Sequence, residues 1–232
     1  MSDQTGVFDM SDEHYRAHPA LSHSGLKQFA GHKAPKGRFL LVGTAFHHAL
    51  LQPKLAKDLY CTTPEEWNLA TKHGKRALEA YEEEKGRIAL RPSEKSLIVS
   101  MCRSVMEHPK ASKIIKSDGP VEQAVIAELH PGILSKGLFD KILPKCLIDL
   151  KTTGYRTEEE FTEAIVKYGY DSQGSYYSDL YREVTGEYKP FVWVVVSKQS
   201  SDCWVSQLQP FHLATGRRWC SDMLSLYAKY AL

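Results

Sequence analysis

Residues Phe191-Val192-Trp193-Val194-Val195-Val196 are apolar without a break. Successive side chains of a strand point to opposite faces, so a half-exposed strand alternates, whereas an unbroken apolar run reads as a strand buried on both faces. A sheet that carries such a strand needs helices on both sides, which predicts an α/β fold. With 232 residues and 42% hydrophobic content, the chain is large enough to build that core in a single domain.

The remaining segments supply the layers. Residues 1–118 read as a mainly helical N-terminal portion. Ser22 or Ser24 can cap a short helix through Leu26 and Phe29, and a basic loop, His32–Arg38, follows. Phe39–Leu51 is apolar and is expected to be helical from about Gly43. Thr63-Pro64-Glu65-Glu66 predicts a helix start leading to about Lys85, and Pro92-Ser93-Glu94 another that stops at His108-Pro109. Residues 119–232 read as a sheet-bearing core. Val121–Leu129, Ser135–Leu143 and Lys145–Thr152 are spaced for an antiparallel meander. Helices are expected at Glu158–Lys167, Ser172–Thr185 and Ala214–Tyr230, with one more strand at Trp204–Leu208. The expectation is a mixed central sheet flanked by helices.

Charge and cysteine usage narrow the function only slightly. Thirty Lys and Arg against 28 Asp and Glu give a formal charge of +2, which neither argues for a nucleic-acid partner nor excludes one. The five cysteines are scattered, with no C-x-x-C pair, so neither a disulfide framework nor a zinc or iron–sulfur site is expected, and a reducing cytoplasm fits best. The N-terminus lacks a basic start followed by an apolar segment, and no stretch approaches about 18 apolar residues, so export and membrane insertion find no support.

The chemistry-bearing residues cluster in the meander. In Cys146-Leu147-Ile148-Asp149-Leu150-Lys151, strand alternation puts Asp149 and Lys151 on one side, roughly 6–7 Å apart. Asp140 ends the preceding strand, so across a short hairpin Asp140 and Asp149 can converge on one Mg²⁺, which takes hard oxygen ligands. Lys151 would then sit beside the ion, where it can position a water or stabilise charge on a phosphate under attack. An exposed hairpin with Asp and Lys on its wet face is the bland alternative.

Further residues form an ordered set: Gly43 and His47 (G-x-x-x-H), Gly137 and Asp140 (G-x-x-D), Asp149-Leu150-Lys151-Thr152 (D-x-K-T), and Gln173 and Tyr177 (Q-x-x-x-Y). This set resembles the PD-(D/E)XK nucleases, and in particular their RecB/RecE-like exonuclease branch. The opening Tyr15–Phe29, YRAHPALSHSGLKQF, is similar to the start of phage and prophage RecE-type exonucleases, so the likeness runs from about Phe8 to Tyr181.

The resemblance implies a Mg²⁺-dependent deoxyribonuclease in which Mn²⁺ substitutes, Asp140 and Asp149 bind the metal and Lys151 is catalytic. It implies that His47 is an extra ligand or orients substrate, and that Gln173 and Tyr177 brace the lysine and contact DNA. An acid on the preceding strand often joins such sites. Glu122 and Glu128 are both candidates that alternation cannot separate, with Glu122 favoured. Leu138-Phe139 stand where the family often has an arginine, and the cysteine cluster of iron–sulfur members is absent. By the same resemblance the substrate is duplex DNA with a free end, digested 5′ to 3′ for recombination beside a single-strand annealing protein, in some members by a homo-oligomeric ring. A catalytically silent DNA-binding module and a structure-specific or single-strand nuclease are the alternatives.

Overall fold

A computed structural model of the chain describes residues 5–34 and 36–231. The first half runs β1 (Gly6–Asp9), α1 (Asp12–Ala17), β2 (Leu21–Ser22), α2 (His23–Phe29), α3 (Arg38–Leu51), α4 (Pro53–Leu59), β3 (Tyr60–Thr62), α5 (Lys72–Lys85), β4 (Ile88–Leu90), α6 (Pro92–Glu107) and α7 (Pro109–Lys116). The second half runs β5 (Val121–His130), β6 (Ile133–Ile142), β7 (Leu147–Thr153), α8 (Glu158–Tyr168), α9 (Tyr170–Thr185), β8 (Phe191–Ser197), β9 (Cys203–Gln207) and α10 (Pro210–Tyr230). Among the described residues no helix is long and apolar enough to cross a membrane.

One mixed sheet organises the molecule, in the order β1-β5-β6-β7-β8-β9, with β2 paired to β6. β8 lies inside it, parallel to β7 and antiparallel to β9, and every one of its residues is buried. Phe191, Trp193 and Val195 pack with Phe161, Tyr176, Leu180 and Leu224 of α8, α9 and α10. Val192, Val194 and Val196 pack with Val42, Phe46, Ile98 and Met101 of α3 and α6. The unbroken apolar run of β8 is thus divided residue by residue between two cores.

The first 118 residues contain more strand than their sequence suggests. β1 and β2 join the central sheet, and β3 and β4 pair with each other in parallel. Three helix starts also move. α3 begins at Arg38 rather than near Gly43. α5 begins at Lys72 rather than after Thr63: the Thr63 hydroxyl donates to the Glu65 carbonyl in a turn, and Thr71 is the cap that accepts from Gly74 N. α10 starts at Pro210, four residues before the expected Ala214, because proline suits a first helical turn. Pro35 of the basic loop lies outside the described residues, as do residues 1–4, and Arg38 at its end is committed elsewhere.

Arg38 reaches Glu94, at the start of α6. Its Nε and Nη2 donate to the two Glu94 oxygens at 2.8 and 2.6 Å, and the Arg91 backbone N–H and Nη2 donate to the same carboxylate at 2.9 and 3.0 Å. Burial pushes the Glu94 carboxyl upward, but these donors outweigh it and hold the group down at about 2. A depressed acid contributes stability above its unfolded value, here near 4.5, and loses it as pH falls toward 2. Glu94→Ala is expected to cost about 3 kcal/mol at pH 7, and less below pH 4. Urea melts at both pH values test this, and an equal cost at both would refute the ion-pair account.

Candidate active site

β6 has a divided edge. β5 pairs along one side of it, but on the other side β7 takes only Lys141 and Ile142, while β2 takes Ser135 and Lys136. Residues 137–140 are left between these partners, at a fork where β6 and β7 diverge. Leu150 N, two residues past the last paired position of β7, donates to Asp140 Oδ2 at 2.5 Å instead of continuing the ladder.

The register converges on the same point. The pairs Val121↔Lys141 and Gln123↔Phe139 bracket Glu122 opposite Asp140, and extending Lys141↔Ile148 by one residue brings Asp149 to the other side of Asp140. Three acids therefore stand in a row across three adjacent strands. Like charges opposite each other are unfavourable unless protonated or bridged by a cation. Glu122 also has φ 52, a left-handed backbone that an L-residue adopts at a cost of about 1–2 kcal/mol. Glu128 lies elsewhere: its carboxylate accepts from Gly132 N at 3.1 Å, in the turn of the hairpin.

His47 arrives from α3, on the opposite layer, with Nδ1 3.6 Å from Asp140 Oδ2. Gly43, one helical turn earlier, allows this approach. A Cβ there would lie 3.3 Å from Thr152 Oγ1, tighter than ordinary contact. His48 points away and pairs through Nδ1 with the Tyr60 hydroxyl at 3.0 Å. His47, Glu122 and Asp140 each offer one ligand atom, all within 4.8 Å of one another.

Lys151 and Asp149 form the second half of the site. Lys151 Nζ donates to Asp149 Oδ1 at 2.9 Å and lies 2.6 Å from Oδ2. The second contact is close but lacks hydrogen-bond geometry, so Oδ2 is a buried oxygen without a hydrogen-bonding partner. Gln173 Nε2 donates to Asp149 Oδ1 at 3.2 Å, so Gln173 braces the lysine's acid partner and not the lysine itself. Tyr177 stacks on Phe139, centroids 4.8 Å apart. Gly137 makes room for Tyr177, since a Cβ there would come 3.1 Å from its ring. The position where the family often carries an arginine is thus filled by a ring that seats α9 against β6.

The electrostatics follow from burial and mutual charge. Burial pushes Glu122 up to about 7, with Asp140 adding to the rise, and Asp149 up to about 6 against the pull of Lys151. Burial disfavours the charged forms of Asp140, His47 and Lys151 as well, but there it is outweighed. His47 holds Asp140 below its ordinary value, Asp140 raises His47, and Asp149 with Asp140 raises Lys151. The donor set suits a hard divalent ion: two carboxylates and an imidazole within 4.8 Å of one another, beside the Asp149 carboxylate that is paired to Lys151.

Alternation could not reveal one neighbour of the lysine. The Tyr170 ring, from the start of α9, lies 5.5 Å from Lys151 Nζ. Its sequence signal, Tyr168-Gly169-Tyr170, reads only as a helix junction.

The family model that describes a PDDEXK-like domain of unknown function (DUF3799) matches residues 22–217. Among solved structures, one described as a "Putative exonuclease" from Eubacterium rectale superposes with a TM-score of 0.65 at 18% identity, over 94% of this chain and 86% of that one. At that identity the likeness speaks for the fold alone. The crystal structure of SSO0001 covers 65% of this chain and 70% of its own at 18% identity, with a TM-score of 0.34, too low to carry an argument. No curated protein matches the chain significantly.

Proposed function

Because this chain belongs to the PDDEXK-like domain family DUF3799, we propose that it is a metal-dependent deoxyribonuclease that hydrolyses phosphodiester bonds with Mg²⁺, or with Mn²⁺ in its place. The observation that carries this reading is the convergence of His47, Glu122 and Asp140 within 4.8 Å, beside a buried Asp149–Lys151 pair.

His47, Glu122 and Asp140 would hold the ion, and the Asp149 carboxylate beside them would be shared between it and Lys151. When bound, such an ion polarises a phosphate oxygen and eases deprotonation of water at neutral pH. The protein's own groups do the rest. Asp149 and Asp140 keep Lys151 cationic, so Nζ can donate to a phosphate oxygen as charge develops there. The hydrogen bond from Gln173 Nε2 keeps the Asp149 carboxylate from rotating away from Nζ. Burial of the pair strengthens the interaction, since fewer waters screen it.

The finer reading is a 5′-to-3′ exonuclease on duplex DNA, supplying a 3′ overhang to a single-strand annealing partner, as the sequence resemblance implies. Linear and circular duplexes incubated with Mg²⁺ or EDTA test it. Loss of the linear form alone, only with Mg²⁺, is the expected result. Nicking of the circle would replace the exonuclease with an endonuclease, and no loss of either form across Mg²⁺ and Mn²⁺ would end the enzyme reading.

A further inference from the structure

Three tyrosine rings lead outward from Lys151. Tyr170 lies 5.5 Å from Nζ, the Tyr168 ring is 6.0 Å from Tyr170, and the Tyr155 ring is 6.2 Å from Tyr168. The inner ring is fixed by stacking on Phe161 at 5.5 Å, and the outer two by a 3.2 Å hydrogen bond from the Tyr155 hydroxyl to that of Tyr168.

The backbone holds the group at the mouth of the site. Tyr155 stands two residues past the end of β7, its N–H donating to Thr153 Oγ1 at 3.2 Å. Tyr168 and Tyr170 flank Gly169, whose φ of 67 turns α8 into α9. Lys27 Nζ donates to the Tyr168 carbonyl at 2.7 Å, and Lys167 Nζ sits 5.5 Å from the Tyr168 ring. Tyr168 is 43% exposed, so this ring is not there to fill the core.

Cations suffice to hold a phosphate backbone, whereas aromatic faces contribute only when bases reach them. In a duplex the base faces are covered by their neighbours. We propose that Tyr155 and Tyr168, continued inward by Tyr170, are a stacking platform for unpaired nucleobases next to the phosphate held at Lys151, with Lys27 and Lys167 taking the adjoining backbone. The ligand class is single-stranded DNA. This deepens the nuclease reading and rests on it for the position of the scissile phosphate.

The test uses the full chain and a single-stranded oligonucleotide carrying 2-aminopurine near one end, in EDTA at low salt so that nothing is cut. Stacking quenches the fluorescence. The wild type is expected to quench it, and Tyr155→Ala/Tyr168→Ala to bind roughly tenfold more weakly without quenching. Tyr155→Phe/Tyr168→Phe keeps the rings, loses the hydroxyl pair, and should restore both. Thermal melts confirm that each variant is folded. Equal binding and quenching by wild type and the double alanine variant would overturn the platform, even if the protein digests DNA. A protein that digests nothing yet still quenches through these rings would keep the platform and remove the nuclease.

Discussion

Lys151→Met is expected to reduce DNA hydrolysis by about 10³-fold while leaving the fold intact, the scale at which losing a donor aimed at developing charge is usually felt. Nζ is 2.6 Å from one Asp149 oxygen and 2.9 Å from the other, and among the described residues no second lysine or arginine pairs with that carboxylate. Methionine fills the same volume against Tyr170 without the charge. The variant should stay folded because Asp149, already raised to about 6 by burial, relieves the loss of its partner by taking up a proton near neutral pH. That compensation gives a second readout. Residual activity in the variant should move to higher pH, as Asp149 then ionises only above its wild-type value. A variant that keeps more than a tenth of wild-type turnover would remove Lys151 from the chemistry.

The metal-free protein is expected to lose stability as pH rises from about 4, through the folded values of its raised acids, to about 8, and a divalent ion to abolish that loss. Burial raises Glu122 to about 7 and Asp149 to about 6. An acid whose folded value is raised stabilises the native state below its unfolded value and loses that contribution as pH climbs through the folded one. His47 acts in the same direction. Asp140 outweighs burial and raises it, so its contribution is present below about 6.5 and lost above the folded value. Together these groups amount to a few kcal/mol. His23 works oppositely at lower pH. Burial lowers it to about 3, so stability falls as pH drops from 6.5 toward 3, and the metal-free optimum lies at mildly acidic pH.

An ion at the site requires Glu122 ionised and His47 neutral, so its affinity must rise with pH and its binding must release protons. At 100 times its dissociation constant it adds about 2.7 kcal/mol, roughly 5–10 °C in Tm for a chain of this size. The expected pattern in thermal melts with Mg²⁺, Mn²⁺ or EDTA is a metal-induced rise in Tm that grows from pH 6 to pH 8. A metal effect that is absent, or flat across that range, would mean these three residues do not hold the ion.

What the sequence revealed and what it hid divide along physical lines. β8 was legible because burial on both faces leaves no polar residue in the strand. The adjacency of Asp140 and Asp149 on neighbouring strands was legible because a short hairpin sets the register of β6 and β7 locally. β1 and β2 were not, since strands of four and two residues carry no periodicity and exist only through pairing with β5 and β6. Glu122 and Glu128 share a parity, and what separates them is the strand register together with a left-handed residue that alternation does not encode. The helix expected from Thr63 reaches Lys85 but starts only at Lys72, because a good capping residue was taken up by a turn and strand pairing of Tyr60–Thr62 with Ile88–Leu90 overrode the local signal.

β1 lies beyond the span matched by the family model, yet it covers the open side of β5 from Ile126 to Gln123. Without it a ten-residue strand with four consecutive buried positions would present a bare row of amide and carbonyl groups to solution. Such an edge is a template for other chains. The four residues Gly6–Asp9 thus act as a guard on solubility: they keep the sheet that carries the candidate site from recruiting a neighbour's strand.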